Sequence, residues 1–198
     1  MVLLKFIKPK IKRFFKNILN YLAPKYYFEK VSNINLNKLK EKNIDTVLLD
    51  LDNTLVPWYN SYIDPEIYKW LNKLKENNFK VCIISNGLSI RVKRISRELG
   101  FPFISNAIKP STRAIVKALK MLNSTPEKAV IIGDQIFTDI LAGNRLGLVT
   151  ILVKPLAKVE LITTKFLRIL EKKILRYLIK KNKIKVKKGN NSFFSEVV

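Results

Sequence analysis

Thr46-Val47-Leu48-Leu49-Asp50-Leu51-Asp52-Asn53-Thr54 is an apolar run that closes on two carboxylates, and its reading decides the fold. Residues 46–51 have the apolar continuity of a strand buried on both faces. A carboxylate at the end of such a strand costs free energy unless it has a functional partner. Downstream, Asp64 and Pro65 open a helix at about 64–77, as N-cap and first helical residue. A strand at 79–85 and a helix at about 89–99, stopped by Gly100, follow. A short strand at about 102–106 leads to Lys109-Pro110, then a helix at 111–123 with Ser111 as its cap. A strand at 129–133, a helix at 136–146 ended by Gly147, and a strand at 148–153 complete the series. This alternation predicts an α/β fold, a parallel sheet with helices on both faces.

The chain has 198 residues, 47% of them hydrophobic and 27% charged, which suits one domain with a sizeable core. No stretch reaches the roughly 18 uncharged apolar residues of a membrane span. Lysines interrupt the apolar residues at the start, so no secretory core segment forms. The single cysteine, Cys82, lies in a strand-like run and reads as a small buried hydrophobe. A cytoplasmic address fits this composition. The absence of histidine excludes Ser-His-Asp and Cys-His catalysis and imidazole-bound zinc. Chemistry is left to carboxylates, Lys, Ser, Thr or a metal.

Four segments fall at the C-terminal ends of predicted strands, the rim where open α/β sheets bind ligands. They are Asp50-Leu51-Asp52-Asn53-Thr54, Ser85-Asn86-Gly87, Lys109-Pro110, and Gly133-Asp134 with Asp139. In this order they resemble the four motifs of the haloacid dehalogenase-like (HAD) superfamily, whose core is a Rossmannoid parallel sheet. The resemblance covers residues 46–153. It implies a phosphatase in which Asp50 attacks phosphorus and Asp52 serves as acid and base. Lys109 would offset charge and Ser85 would bond a phosphoryl oxygen. Asn53, Thr54 and Asn86 would line the phosphate site, with Thr54 also readable as a turn former. Mg²⁺ would be held by Asp50, the carbonyl of Asp52, Asp134 and Asp139, the last directly or through water. Asp139 is also readable as an acid favoured in a first helical turn.

Asp50 and Ser85 are 35 residues apart, and Ser85 and Lys109 are 24 apart. One helix and one strand fill each interval, so no cap domain is expected and the site should be open. The loop Val56-Pro57-Trp58-Tyr59-Asn60-Ser61-Tyr62 would stand at its mouth. Two readings of Trp58 and Tyr62 stand: contact with substrate or lipid, or packing on the core. A narrower resemblance joins Asp50–Trp58, Ser85-Asn86 and Gly133–Gly147 to the YqeG-type branch of the class IIIA phosphatases, which includes phosphatidylglycerophosphatases. Gln135, Thr138, Asn144 and Arg145 are particular to that branch, and Arg145 would contact the substrate. Gly87 stands where its pattern leads one to expect Asn.

The charge is +23, from 38 basic and 15 acidic residues, and the flanks carry most of it. Residues 1–30 hold +7 and residues 154–198 hold +10. Residues 3–22 form a helical stripe of Leu3, Leu4, Ile7, Ile11, Phe14, Phe15, Ile18 and Leu22, opposed by Lys5, Lys12, Arg13 and Lys16. At 165–180, Phe166, Leu167, Leu170, Ile174, Tyr177 and Leu178 are opposed by Lys165, Arg168, Lys172, Arg176 and Lys180. Such helices either lie in a membrane interface or pack on the domain. The predicted organisation is a basic amphipathic segment at 1–30, a catalytic domain at 31–155, a basic amphipathic helix at 156–181 and a mobile tail at 182–198. The expected function is Mg²⁺-dependent dephosphorylation of phosphatidylglycerophosphate, peripherally on the inner face of the cell membrane. The alternative is a terminal phosphate of a nucleic acid, drawn by the same positive charge; the segregation of basic and apolar residues by helical face favours lipid.

Overall fold

A computed structural model describes residues 18–157 and 162–181, with side chains in the second stretch from Leu167 onward. Six strands form one parallel sheet: β1 (Tyr26–Phe28), β2 (Thr46–Leu49), β3 (Lys80–Ile84), β4 (Phe103–Ile104), β5 (Ala129–Gly133) and β6 (Val149–Val153). Their order is β1-β6-β5-β2-β3-β4. The chain runs outward from β2 through β3 to β4, then returns to the other side of β2 with β5. The reversal opens a crevice beyond the C-terminal ends of β2 and β5, where α/β sheets bind their ligands.

Alternation along the strands divides the core between the two faces. Val47, Leu49, Val81 and Ile83 pack with Trp70, Leu71, Leu74, Ile95 and Leu99 of α3 (Pro65–Glu76) and α4 (Ser89–Leu99). On the other face, Leu48, Cys82, Ile84 and Ile131 meet Ile115, Ala118 and Leu119 of α5 (Arg113–Met121) and Ala142 of α6 (Leu141–Arg145). The predicted stops hold: Asp64 accepts from the Glu66 amide at 2.8 Å, and Gly100 ends α4 at φ 67°. A short helix, α2 (Leu36–Glu41), precedes β2 and was not anticipated. Burial pushes the Cys82 thiol up to about 12, as a small core residue requires.

Two expectations are corrected and a third is refined. Residues 18–22 are helical (α1), but Tyr26–Phe28, placed in the basic amphipathic segment at 1–30, is strand β1 beside β6. Tyr26 and Phe28 enter the core from it, so the sheet starts before residue 31. The helix expected at 136–146 is present over residues 136–145, but its first turn, Ile136–Ile140, is widened before α6 (Leu141–Arg145) begins. There the Ile140 amide reaches back five residues to the Gln135 carbonyl at 3.2 Å. The C-terminal helix, expected over 156–181, is α7 (Ile162–Lys180). Its buried side differs too: Arg168 and Glu171 are buried, while Leu167, Leu170 and Tyr177 of the expected apolar stripe are exposed. The reason is an ion pair with Asp134, described below. Leu178 is buried, and Ile174 packs with Leu22 of α1 against Ile136, Ile140 and Leu152. Residues 3–17 of the first stripe and the tail 182–198 lie outside the described residues.

Candidate active site

Each strand end delivers one part of the site. After β2, the Asp50 amide still bonds the Ile132 carbonyl of β5 at 2.9 Å, so Asp50 is fixed by the sheet itself. The chain then turns tightly: the amides of Thr54, Leu55 and Val56 all reach the Leu51 carbonyl. Asn53 takes φ 65° there, a conformation Asn tolerates, and its Oδ1 accepts from the Trp58 amide at 3.3 Å. Thr54 is buried, and its hydroxyl has no hydrogen-bond partner.

After β3, the Ser85 hydroxyl donates to Asp52 Oδ2 at 3.3 Å and accepts from the Gly87 amide at 2.9 Å. A Cβ at Gly87 would stand 2.7 Å from Asp52 Oδ2, so the larger residue that the branch pattern suggests would shift the Asp52 carboxylate. Asn86 clasps the backbone of Lys109, accepting from its amide at 2.8 Å and donating to its carbonyl at 3.3 Å. The buried Lys109 ammonium uses all three of its protons. They go to Asp50 Oδ1 at 2.6 Å, Asp139 Oδ1 at 2.6 Å and the Ile84 carbonyl at 2.9 Å.

Beyond β5 the backbone and a carboxylate nearly touch. A Cβ at Gly133 would fall 2.2 Å from Asp139 Cγ, so only glycine admits Asp139 there. The wide turn at 136–140 swings Asp139 into this gap, where its Oδ2 accepts from the Gln135 amide at 3.1 Å. Gln135 and Thr138 bond each other at 3.2 Å and so brace the turn. Asn144 donates to the carbonyls of Tyr21 and Ala23, which ties the chain before β1 to α6.

Two arginines were not legible in the sequence. Arg168 of α7 bonds the Asp134 carboxylate, the Asp134 carbonyl at 2.5 Å and Glu171 at 3.1 Å. Glu171 also accepts from the Phe137 amide at 3.1 Å. Arg91 of α4 bonds Asp52, and reaches the carbonyls of Pro57 at 2.9 Å and Asn60 at 2.5 Å. Pairing across 34 and 39 residues leaves no local pattern to read.

Among the sequence candidates, the structure brings together Asp50, Asp52, Ser85, Lys109, Asp134 and Asp139. Asn53 and Asn86 stand beside them with side chains committed to the loop and to Lys109. Trp58 is half-buried at the mouth, edge-on to Tyr59 at 5.7 Å. Arg145 lies outside the cluster, exposed at the end of α6 and bonded to the Pro110 carbonyl at 3.1 Å. Among the described residues, no cap domain covers this rim.

Burial sets the electrostatics. It raises Asp50 to about 7, against the attraction of Lys109 and with the repulsion of Asp139 and Asp52. It pushes Asp134 well above the carboxylate range, opposed by Arg168. Burial also works against the charge of Lys109, but Asp139 and Asp50 outweigh it and raise its pKa. Four buried carboxylates (Asp50, Asp134, Asp139 and Glu171) face two buried cations, Lys109 and Arg168. With all four ionised the deficit is two positive charges, which either a cation or the protons that burial draws onto Asp50 and Asp134 would make up. One oxygen from each of Asp50, Asp134 and Asp139 falls within 4.8 Å of the others, and Asp134 Oδ1 is buried with no partner. An all-oxygen set with one orphaned acceptor and a twofold charge deficit fits a hard divalent cation.

This sheet order and this carboxylate–lysine centre define a known class. The chain belongs to the haloacid dehalogenase-like hydrolases, whose family model matches residues 58–147. Within them it is a phosphatase of the YqeG type. It is 40% identical over 164 residues to "Probable phosphatase YqeG" of Bacillus subtilis (strain 168), covering 83% of this chain and 95% of that protein. It is 26% identical over 149 residues to "Phosphatidylglycerophosphate phosphatase 1, chloroplastic/mitochondrial" of Arabidopsis thaliana, covering 71% of this chain but 43% of the relative. A solved structure 17% identical to it, matched over 69% of this chain and 84% of its own, has a TM-score of 0.53 and the same fold.

Proposed function

We propose that this protein hydrolyses a lipid phosphomonoester, phosphatidylglycerophosphate, at a membrane surface, with Mg²⁺ as cofactor. The observation that carries the chemistry is the Lys109 ammonium set between Asp50 and Asp139, 2.6 Å from each. Asp50 is the nucleophile: the oxygen that Lys109 does not hold attacks phosphorus, and the ester oxygen leaves. Asp52 gives that oxygen its proton, then takes one from the water that cleaves the aspartyl phosphate. Arg91 and Ser85 hold the Asp52 carboxyl in place for both steps. Lys109 offsets charge on Asp50 and on the transferring group. Asp50, Asp134 and the Asp52 carbonyl would hold Mg²⁺, with Asp139 contributing through water because both of its oxygens are already bonded. When bound, the ion supplies the positive charge that lets an anionic nucleophile meet an anionic ester.

The lipid assignment is supported by the Arabidopsis relative, by the basic balance of the chain and by an uncapped rim that admits a bulky ester. Phosphate release from phosphatidylglycerophosphate in mixed micelles, run beside a 3′-phosphorylated oligonucleotide, tests it. Faster release from the oligonucleotide would overturn it. Chelation should stop turnover on any substrate, and Mg²⁺ should restore it. Ca²⁺ should bind yet support little turnover, because its looser geometry misplaces the attacking carboxylate. Full activity in chelator would refute the metal assignment.

A further inference from the structure

The five most exposed large apolar side chains among the described residues are Ile90 (83%), Leu88 (80%), Ile108 (76%), Tyr62 (66%) and Tyr59 (60%). Four lie in the loops that follow β2, β3 and β4, and Ile90 lies in the first turn of α4, all on the rim around Asp50. Single exposed apolar residues are ordinary, but a cluster at one functional rim marks a contact surface. None of them serves the fold. The buried face of α4 is Val92, Ile95, Ser96 and Leu99, while Leu88 and Ile90 point away from it. Leu88 occupies the N-cap, where an apolar residue caps nothing. Ile108 has φ 52°, a left-handed backbone that a β-branched residue adopts only under strain.

The loops form one platform. Arg91 joins α4 to the carbonyls of Pro57 and Asn60, and Arg94 bonds Ser61 at 2.6 Å. The Asn106 amide reaches the Gly87 carbonyl at 3.4 Å, and Asn86 holds Lys109. The platform is also basic. Residues 86–96 contain Arg91, Lys93 and Arg94 and no acid. Arg91 is taken up by Asp52, but Lys93 and Arg94 are exposed cations in the first turns of α4 that oppose the helix dipole, so their placement answers to something outside the helix.

We infer that the loops 57–62, 87–91 and 106–108 dock the mouth of the site onto an anionic phospholipid bilayer. Leu88, Ile90 and Ile108 enter the boundary between headgroups and acyl chains. Tyr59 and Tyr62 sit at headgroup depth, and Lys93 and Arg94 meet lipid phosphates. The purpose of this docking rests on the lipid-phosphate reading above. It is distinct from any contact made by the amphipathic flanks, because it orients the open site toward the membrane.

The test uses the full chain and vesicles of equimolar phosphatidylcholine and phosphatidylglycerol. A triple variant, Leu88→Ser, Ile90→Ser and Ile108→Asn, removes the apolar rim. Ser suits an N-cap and Asn suits positive φ, so the variant should fold at least as well. Flotation should show vesicle affinity lost by about tenfold or more, with hydrolysis of a soluble aryl phosphate unchanged. A polarity-sensitive dye on Ile90→Cys should shift blue on vesicles, and one on Glu76→Cys, at the end of α3 by the N-terminal ends of the strands, should not. The buried Cys82 thiol leaves such labelling specific. An unshifted dye at position 90, or unchanged affinity in the triple variant, would assign binding to the flanks and overturn the inference. So would a dye that responds to an oligonucleotide and not to vesicles, or a wild-type dimer that the triple variant splits without any loss of flotation. If the rim inserts as expected but no phosphate is released when phosphatidylglycerophosphate is added to the same vesicles, the substrate reading falls and the docking surface stands.

Discussion

Asp50→Asn protein should release phosphate at less than about a thousandth of the unaltered rate while melting within a few degrees of it. The amide has the shape of the carboxylate and can still accept from the Lys109 ammonium, now 2.6 Å from Asp50 Oδ1. Lys109 keeps Asp139 and the Ile84 carbonyl, so it is not stranded in the core. What disappears is the anionic oxygen that, in the proposed mechanism, attacks phosphorus. The buried carboxylate is also held at a cost, with its pKa lifted to about 7 mainly by burial, so removing its charge relieves desolvation. Aryl phosphate turnover and a thermal melt on the same preparation measure both halves. Activity near the unaltered level would refute Asp50 as nucleophile.

Arg168→Ala should destabilise the protein by about 3–5 kcal/mol, the range for stripping one partner from a buried ion pair. Asp134 and Glu171 would both lose their buried cation, and the Asp134 carbonyl would lose a donor. Denaturant unfolding without metal reads the loss. Saturating Mg²⁺ should recover part of it, because an ion that binds only the folded site stabilises that state. A change below about 1 kcal/mol, or one indifferent to Mg²⁺, would show that the pair contributes no such support.

The sheet was legible because its strands are short apolar runs closed by turn residues, and β2, β3 and β5 declare themselves that way. Asp50, Asp134 and Lys109 were legible because each sits at a strand end, in a local pattern that resembles a known motif. Strand β1 was not: three aromatic residues in a basic neighbourhood, paired only to β6 at the edge, show no period. The helix at 136–145 was legible from the helical spacing of its apolar residues, but its widened first turn, beside which Asp139 packs under Gly133, leaves no mark in that spacing. Arg168 was placed on a solvent face because helical arithmetic weighs hydrophobicity, whereas this helix docks through charge.

That docking moves the limits of the catalytic unit. A fragment cut to residues 31–155, the span that bears every motif, would begin after β1 and stop before α7. It would expose the β6 edge that Tyr26–Phe28 covers and would leave Asp134 buried without Arg168. Excision at these points should therefore yield a chain complete in its chemistry yet unable to hold it, prone to edge-to-edge association and poor in metal affinity. A fragment spanning 18–181 keeps both supports. Comparing the solubility and Mg²⁺ affinity of the two would show that the shortest functional piece is longer than the stretch its motifs outline.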